Sequence, residues 1–316
     1  MRVLVTGGAG FIGSNLVEQL LRDGHAVRVL DSFVTGEREN LARLTDAEVF
    51  EGDVQSFERV HNASRDCEVV LHQAALPSVP RSIGDPLMSN VVNVTGTLNI
   101  LLAARDNGVR RVVYASSSSV YGAETALPKV ESMRPRPISP YAVSKLAGEG
   151  YCHAFSTVYG LESVALRYFN VFGPRQNPGS QYAAVLPRFI TAALEGRRPV
   201  IFGDGEQSRD FTFVDNVVQG NLLAMSAPEI GEGLFNIACG ERISLNQVLA
   251  TLGEILRLEL TADYVASRPG DVEHSLADIE RARAGLGYEP SVGFEEGLRR
   301  TAEALAEQHQ RGAGVS

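Results

Sequence analysis

The chain has 316 residues, of which 44% are hydrophobic, a formal net charge of −9 at pH 7 and three cysteines. A chain of this size can bury one large core together with a smaller lobe, and its negative charge disfavours sequence-independent binding to nucleic acid. The cysteines are scattered and no apolar run approaches the roughly 20 residues of a membrane helix, so we expect a cytoplasmic protein without a disulfide framework, zinc site, signal peptide or membrane anchor.

Apolar, β-branched runs alternate with helical patterns through the first half of the chain. Helices are predicted at residues 11–23, 88–106 and 141–158. Strands are predicted at residues 2–6, 26–30, 47–51, 68–72, 111–116 and 162–167. Strands that alternate with helices in this way predict an α/β fold with a doubly wound parallel sheet of the Rossmann type.

The pattern loosens after about residue 170, where Gly, Pro, Gln and Asn cluster in "FGPRQNPGSQY". Later elements are predicted as a helix over 185–195, a short strand at Val200, a helix from Val214, a strand at Phe235 and a helix opened by Ser244. We assign residues 1–172 to a nucleotide-binding domain, to which residues 202–230 return. Residues 173–316 are predicted to form mainly a smaller, interwoven substrate-binding lobe.

A glycine cluster separates the first predicted strand from the first predicted helix. Gly8 to Gly13 fit G-x-G-x-x-G, and Gly7, Gly10 and Gly13 also fit a three-residue spacing. Such glycines permit a tight turn and close approach of backbone N–H groups to a pyrophosphate at the helix N-terminus. The cluster, with Phe11 and Ile12 inside it, therefore predicts a dinucleotide site.

The preferred cofactor is indicated by Asp31, at the end of the second predicted strand. A carboxylate there accepts hydrogen bonds from ribose hydroxyls and repels a 2′-phosphate, which favours NAD over NADP. Ser32 and Phe33 follow, and Arg38 keeps NADP open as an alternative. Asp53, in "EGDV", is placed to meet the adenine or to form a turn.

A tyrosine and one of the two lysines in the chain, Tyr141 and Lys145, lie four residues apart on a predicted helix. This spacing puts both side chains on one helix face. A neighbouring ammonium favours the phenolate, so the tyrosine can serve as a base near neutral pH. Ser117, at the carboxyl end of a predicted parallel strand, points towards the crevice where such sheets bind ligands, although serines there also form turns.

Eight segments together resemble the extended short-chain dehydrogenase/reductase family, and among its members the UDP-hexose 4-epimerases. The segments are "TGGAGFIG", "GDV", "LHQAA", "SSSSVYG", "YAVSK", "RYFNVFGPRQ", "GDGEQSRDFTFV" and "RPGDVEHSLAD". The resemblance runs from about residue 2 to residue 300. It implies Ser117, Tyr141 and Lys145 as the catalytic triad and adds Val54 and Ala74 to the NAD site, where Lys145 also contacts the cofactor.

The resemblance also implies a set of substrate-binding residues. Asn170 and Arg209 would hold the UDP phosphates, and Arg268 and Asp271 would anchor the nucleotide. Val200 and Phe202 would border the uracil. Ser275 would lie near the sugar C2 substituent, where a small residue leaves room for an acetamido group, and Ser78, Gln176 and Ala184 would supply polar contacts and space; Pro77 departs from the usual glycine.

The implied reaction is 4-epimerisation of a UDP-hexose through a transient 4-keto sugar, with NAD retained, in an enzyme that is expected to form a homodimer. Open alternatives are a UDP-glucuronate 4-epimerase, a decarboxylase, a 4,6-dehydratase and a non-catalytic NAD-binding regulatory module. Resembling dehydratases carry Asp-Glu where this chain has Ser118 and Ser119, and resembling decarboxylases carry an arginine near Ser275. No metal is expected.

Overall fold

The structure, a computed structural model, describes residues 1–177, 185–267 and 273–313. Its strands in chain order are β1 (Arg2–Thr6), β2 (Ala26–Asp31), β3 (Glu48–Glu51), β4 (Val69–His72), β5 (Arg111–Ser117), β6 (Glu162–Tyr168), β7 (Val171–Phe172), β8 (Val200–Phe202), β9 (Ser208–Arg209), β10 (Thr212–Phe213), β11 (Leu234–Ile237), β12 (Ile243–Ser244) and β13 (Asp263–Val265). Seven of them form one parallel sheet in the order β11-β6-β5-β4-β1-β2-β3.

The helices in chain order are α1 (Phe11–Arg22), α2 (Phe57–Ser64), α3 (Val79–Gly84), α4 (Pro86–Asn90), α5 (Gly96–Asp106), α6 (Pro140–Tyr159), α7 (Val185–Leu194), α8 (Val214–Ser226), α9 (Leu245–Leu256), α10 (Glu280–Leu286) and α11 (Phe294–Ala313). One face of the large sheet packs against α1 and α8, and the other against α2, α5 and α6. Helices on both faces of a parallel sheet make the doubly wound fold that the sequence predicts.

The smaller lobe has its own apolar core. Phe172, Phe211 and Phe213 pack with side chains of α7, α9 and α11. Its strands pair as β10 with β7, β12 with β9, and β13 with β8. The chain returns to the large sheet with α8 and β11, so the two parts of the molecule are interwoven.

The six strands predicted with bounds agree with the structure to within one residue at each end, and the strand predicted at Phe235 is β11, an edge strand of the large sheet. The helix expected at 88–106 begins earlier, at Pro86, and contains a π-helical turn at Val91–Thr95. The short helix α2 was not predicted, because eight residues give too little periodicity to separate a helix from a loop. Its signal is local: the Ser56 hydroxyl caps it by accepting from the N–H of Arg59.

One helical stretch, Pro86–Asp106, is long and apolar enough to cross a membrane by length and composition. A core helix of a soluble protein meets the same criterion. This stretch packs against α2 and α6, and Ile100 and Leu101 are buried in the core beneath the sheet.

The carboxyl ends of β1 and β4 are joined through a buried histidine. His72 forms a hydrogen bond through Nδ1 with the Thr6 hydroxyl (2.7 Å) and another through Nε2 with the Thr97 hydroxyl (3.0 Å). Strand order reverses between these two strands, which opens a crevice at their carboxyl ends. Burial, reinforced by the charge of Lys145, lowers the pKa of His72 from 6.5 to about 3.

From this lowered pKa we predict that the folded protein loses stability in acid because of His72. The unfolded chain binds a proton on His72 below about pH 6.5 and the folded chain does not, so stability falls as pH drops from 6.5 towards 3. At pH 5 the loss from this residue is about 2 kcal/mol. Urea unfolding at pH 7 and pH 5 should show that loss in the wild type and in His309→Gln, a change at an exposed histidine, but not in His72→Gln. An equal pH dependence in all three proteins would contradict the assignment.

Candidate active site

A cavity of about 990 Å³ lies at the carboxyl ends of β1, β2, β4 and β5. Every residue predicted to bind NAD is in its lining: Gly7, Gly10, Phe11, Ile12, Gly13, Asp31, Asp53, Val54, Ala74 and Lys145. These residues come from five separate parts of the chain, so the fold brings together what the sequence only suggested. A cavity of this volume is large enough for a dinucleotide.

The glycine loop follows the three-residue spacing of Gly7, Gly10 and Gly13. Gly7 has a φ of +69°, and a Cβ on Gly13 would lie 2.1 Å from the Gly7 carbonyl oxygen. Gly10 precedes α1, so the N–H groups of the first turn of α1 are available to an anion in the cavity. Gly8 instead packs beneath the loop, where a Cβ would lie 2.7 Å from Val29.

The carboxylate of Asp31 sits at the end of β2 and orders the loops around the cavity. It accepts the N–H of Ala9 at 2.9 Å and the N–H of Phe33 at 2.8 Å. Arg38 is the residue that left NADP as an alternative cofactor. It donates to Glu51 at 2.7 Å and stacks over the Phe33 ring. Asp31 has lone pairs left for ribose hydroxyls, and the guanidinium of Arg38 is used elsewhere, so the site fits NAD.

Asp53 combines the two functions considered for it. It lines the cavity, and its Oδ1 accepts the N–H of Gln55 at 2.9 Å to form a turn after β3. The turn places Val54 under α5, where it fills the space beside Gly96.

Tyr141 and Lys145 lie in the first two turns of α6, which Ser139 caps by accepting the N–H of Ala142 at 3.1 Å. The Lys145 Nζ lies 5.9 Å from the Tyr141 ring centroid and donates to the carbonyl of Ala115 at 2.8 Å. Ser117 ends the same strand β5, and its hydroxyl accepts the N–H of Ser119 at 3.2 Å. Tyr141 and Lys145 line the cavity, and Ser117 lies at its margin with Ser116 in the lining.

Burial changes the titration of both α6 side chains. It lowers the pKa of Lys145 to about 8, against the opposing effect of the Glu149 carboxylate. It raises the pKa of the Tyr141 phenol, and a hydrogen bond with Ser117 works in the opposite direction. The Lys145 Nζ, 5.9 Å from the Tyr141 ring centroid, is a positive charge of the sign that favours the phenolate.

A second cavity, of about 570 Å³, lies in the smaller lobe and is lined by Asn170, Val200, Phe202 and Arg209, all predicted to bind substrate. Asn170 has a φ of +34°, and its amide donates to the Asp210 carbonyl at 3.0 Å. The Arg209 guanidinium donates to the carbonyls of Ser208 (2.9 Å) and Glu273 (3.0 Å). Three arginines that were not predicted also line it, Arg188, Arg197 and Arg198. Arg197 pairs with Glu195 and Arg198 with Asp263, so carboxylates offset part of a charge that otherwise suits a phosphorylated ligand.

The remaining substrate candidates are distributed differently. Ser78, with a φ of +104°, and Gln176 line the larger cavity. Ser275 is half-buried and lines neither cavity among the described residues; its N–H donates to the Ser208 carbonyl at 3.0 Å, beside Arg209. Ala184, Arg268 and Asp271 lie outside the described residues.

Sequence reasoning missed two polar groups at the cavity. The Tyr168 hydroxyl exchanges hydrogen bonds with Gln73 (3.1 Å) and Asn221 (2.8 Å), and Ser116 donates to Glu149 at 2.5 Å. Tyr168 stands in "RYFN" at the carboxyl end of β6, and polar residues at parallel strand ends are the signal that would have found it.

Comparison with known proteins identifies close similarity over nearly the whole chain. The model of the NAD dependent epimerase/dehydratase family matches residues 3–238. A UDP-glucose 4-epimerase of Mycolicibacterium smegmatis is 40% identical over 315 residues, which cover 98% of this chain and 100% of that protein.

Two solved structures share the fold over nearly the whole length of both chains. One is a UDP-N-acetylglucosamine 4-epimerase from Methanobrevibacter ruminantium in complex with UDP-N-acetylmuramic acid, with 40% identity, a TM-score of 0.93 and coverage of 97% of this chain and 98% of that one. The other is a UDP-glucuronic acid 4-epimerase from Bacillus cereus in complex with UDP-glucuronic acid and NAD, with 32% identity, a TM-score of 0.89 and coverage of 98% and 100%. The three proteins are named for three different sugars.

Proposed function

Because the chain belongs to the NAD-dependent epimerase/dehydratase family, we propose that it is a UDP-hexose 4-epimerase that interconverts UDP-N-acetylglucosamine with UDP-N-acetylgalactosamine and UDP-glucose with UDP-galactose. The chain is an isomerase that uses NAD, as are the proteins it is similar to. The observation that carries the proposal is the pairing of Tyr141 with a buried Lys145 at the dinucleotide cavity.

In the proposed reaction Tyr141, as phenolate, takes the proton of the sugar 4-hydroxyl and later returns it to the 4-keto oxygen. The Lys145 ammonium favours the phenolate, and the Ser117 hydroxyl donates to the substrate oxygen. Residues that line the larger cavity, among them Gly7, Gly13 and Asp31, would hold NAD, which would supply a reversible hydride acceptor for C4 before and after the sugar turns over. Arg209 and Asn170 would hold the diphosphate in place while the sugar turns.

The side chains that two other reactions of the family require are not found at the matching positions of this chain. Elimination by a 4,6-dehydratase needs an acid and a base after the catalytic serine, and this chain has Ser118 and Ser119 in a 3₁₀ turn instead. Decarboxylation in the resembling enzymes uses an arginine near the position of Ser275. A non-catalytic NAD-binding module is disfavoured because such a protein has no use for the Tyr141 and Lys145 pair. A UDP-glucuronate 4-epimerase would share the pair, so assay of UDP-glucose, UDP-N-acetylglucosamine and UDP-glucuronate on one preparation separates the sugars.

The first test removes the proposed base. Tyr141→Phe should lower kcat by about 10²- to 10⁴-fold, the range typical of a lost general base, while NAD binding stays near wild type. Tyr151→Phe, at a half-buried tyrosine further along α6, is the matched control and should keep wild-type kcat. Epimerisation by Tyr141→Phe above about a tenth of the wild-type rate would refute the role.

We propose that the protein is a cytoplasmic homodimer built on the helical stretch Pro86–Asp106 and on α6, both of which α3 packs against. Large apolar side chains are exposed there: Ile83 (66%), Leu87 (73%) and Val143 (52%). Buried in a four-helix contact between two copies, they would no longer face water. Light scattering should give twice the chain mass for the wild type and for Leu258→Glu, and a lower mass for Leu87→Glu. A concentration-independent mass of 34.0 kDa for the wild type would refute the dimer.

The proposed tolerance of N-acetylated sugars rests on the small side chain of Ser275, which lines neither cavity but lies beside Arg209 of the smaller one, through the hydrogen bond from its N–H to the Ser208 carbonyl. An open pocket discriminates weakly between sugars, by roughly 1 to 3 kcal/mol, whereas a filled pocket rejects the larger one. Ser275→Tyr should therefore lose kcat/KM for UDP-N-acetylglucosamine by 100-fold or more and spare UDP-glucose, and Ser275→Ala should keep both activities. Equal loss on both sugars in Ser275→Tyr would show that this residue does not control sugar choice.

A further inference from the structure

A third side chain continues the helix face that carries Tyr141 and Lys145. Glu149 lies one more turn along α6, four residues after Lys145, and is 9% exposed. Lys145 is 4% exposed, so two opposite charges are buried side by side at the end of β5. Buried charges are costly unless each is paired and hydrogen-bonded.

Glu149 is fully engaged by two neighbouring strands. Its Oε1 accepts from the Ser116 hydroxyl at 2.5 Å and from Arg167 Nε at 2.8 Å, and its Oε2 accepts from Arg167 Nη2 at 2.7 Å. Lys145 donates to the carbonyl of Ala115, the residue before Ser116. The two α6 side chains thus hold consecutive residues of β5 just before Ser117.

Each element packed against Lys145 places an aromatic, titratable or charged side chain near it. On β5 it faces the Tyr114 ring, and on β4 it faces His72, which burial keeps neutral. Arg167, on β6, is turned towards Glu149 and lies over the Tyr121 ring. Among the described residues, Glu149 is the group whose charge raises the pKa of Lys145 against the effect of burial.

We propose that Glu149 is a positioning residue for the reaction, whose carboxylate fixes the end of β5 and keeps the Lys145 side chain charged beside Tyr141. The inference rests on the proposed function of Tyr141 and Lys145 and adds to it the group that makes a buried ammonium possible. An ion pair with a purely structural role would hold β6 to α6 and leave the titration of Lys145 unchanged.

The experiment uses the fact that the chain has two lysines, Lys129 and Lys145. Protein labelled with ¹³C-lysine gives two Cε signals, and Lys129→Arg assigns them, so the ionisation of Lys145 is read without an activity assay. Glu149→Gln removes the charge. Arg167→Lys is the matched control, because it breaks the two-pronged contact with Glu149 but preserves the charge on both sides. It adds a third lysine signal, which is assigned by combining the change with Lys129→Arg and, separately, with Lys145→Arg.

We expect the Lys145 pKa to fall by about one unit or more in Glu149→Gln, and to stay within about 0.3 units of wild type in Arg167→Lys. The alkaline limb of the kcat profile should move to lower pH by the same amount in Glu149→Gln alone. Unchanged titration of Lys145 in Glu149→Gln, or an equal shift in both variants, would overturn the proposal.

Removing one partner of a buried ion pair is strongly destabilising, so a second variant keeps the test decisive. Glu149→Gln combined with Arg167→Met replaces the pair without leaving an unpaired charge. The Lys145 pKa should fall in this double variant too, and a wild-type value would again overturn the proposal. The wild-type protein could lack epimerase activity while the Lys145 pKa still falls as expected in Glu149→Gln. That outcome would refute the proposed function but would leave the coupling of Glu149 to Lys145 intact.

Discussion

The buried ammonium of Lys145 is the constraint on which the rest of the site depends. Burial favours the neutral amine, and it lowers the pKa of this lysine to about 8. The Ala115 carbonyl and the Glu149 carboxylate work against that loss of charge. Both depend on the register of α6 against β5, which the Ser139 cap and the packing of the helix establish. The chemistry of the site is therefore inseparable from the placement of one helix on one strand.

Much of this arrangement could be predicted from the sequence because its signals are local. The glycine loop, Asp31 and the Tyr141–Lys145 spacing each lie within a short segment, and strand bounds follow from runs of apolar residues. Glu149 and Arg167 were missed because their pairing joins a helix to a strand through tertiary packing, and single-residue patterns carry no such information. The three extra arginines of the smaller cavity were missed for the same reason.

The net charge of the chain and the charge of the side chains that line the smaller cavity have opposite signs. A formal charge of −9 excludes broad attraction of polyanions, yet the smaller cavity is lined by arginines from α7, from the segment before β8 and from β9. A concave, partly desolvated site concentrates the field of a few cations, so local charge outweighs the total. A small phosphorylated ligand can thus be attracted to a protein whose net charge disfavours sequence-independent binding to nucleic acid.

A separation between the residues that carry the reaction and those that meet the sugar substituents would explain why similarity to proteins named for different sugars coexists with one shared core. In the proposed function the base, its charged neighbour and the dinucleotide would act at C4. Substituents at C2 and C6 would meet other residues, and two of those predicted for that role, Ser78 and Gln176, line the larger cavity. Gln176 shares no hydrogen bond with Tyr141, Lys145 or Glu149 among the described contacts and can change without disturbing α6 or β5. Ser78 is less independent, because it caps α3, whose Ser82 hydroxyl accepts the Tyr141 N–H at 3.0 Å. The segment around Gln176 is therefore the one at which we expect sugar choice to vary while the proposed reaction stays the same.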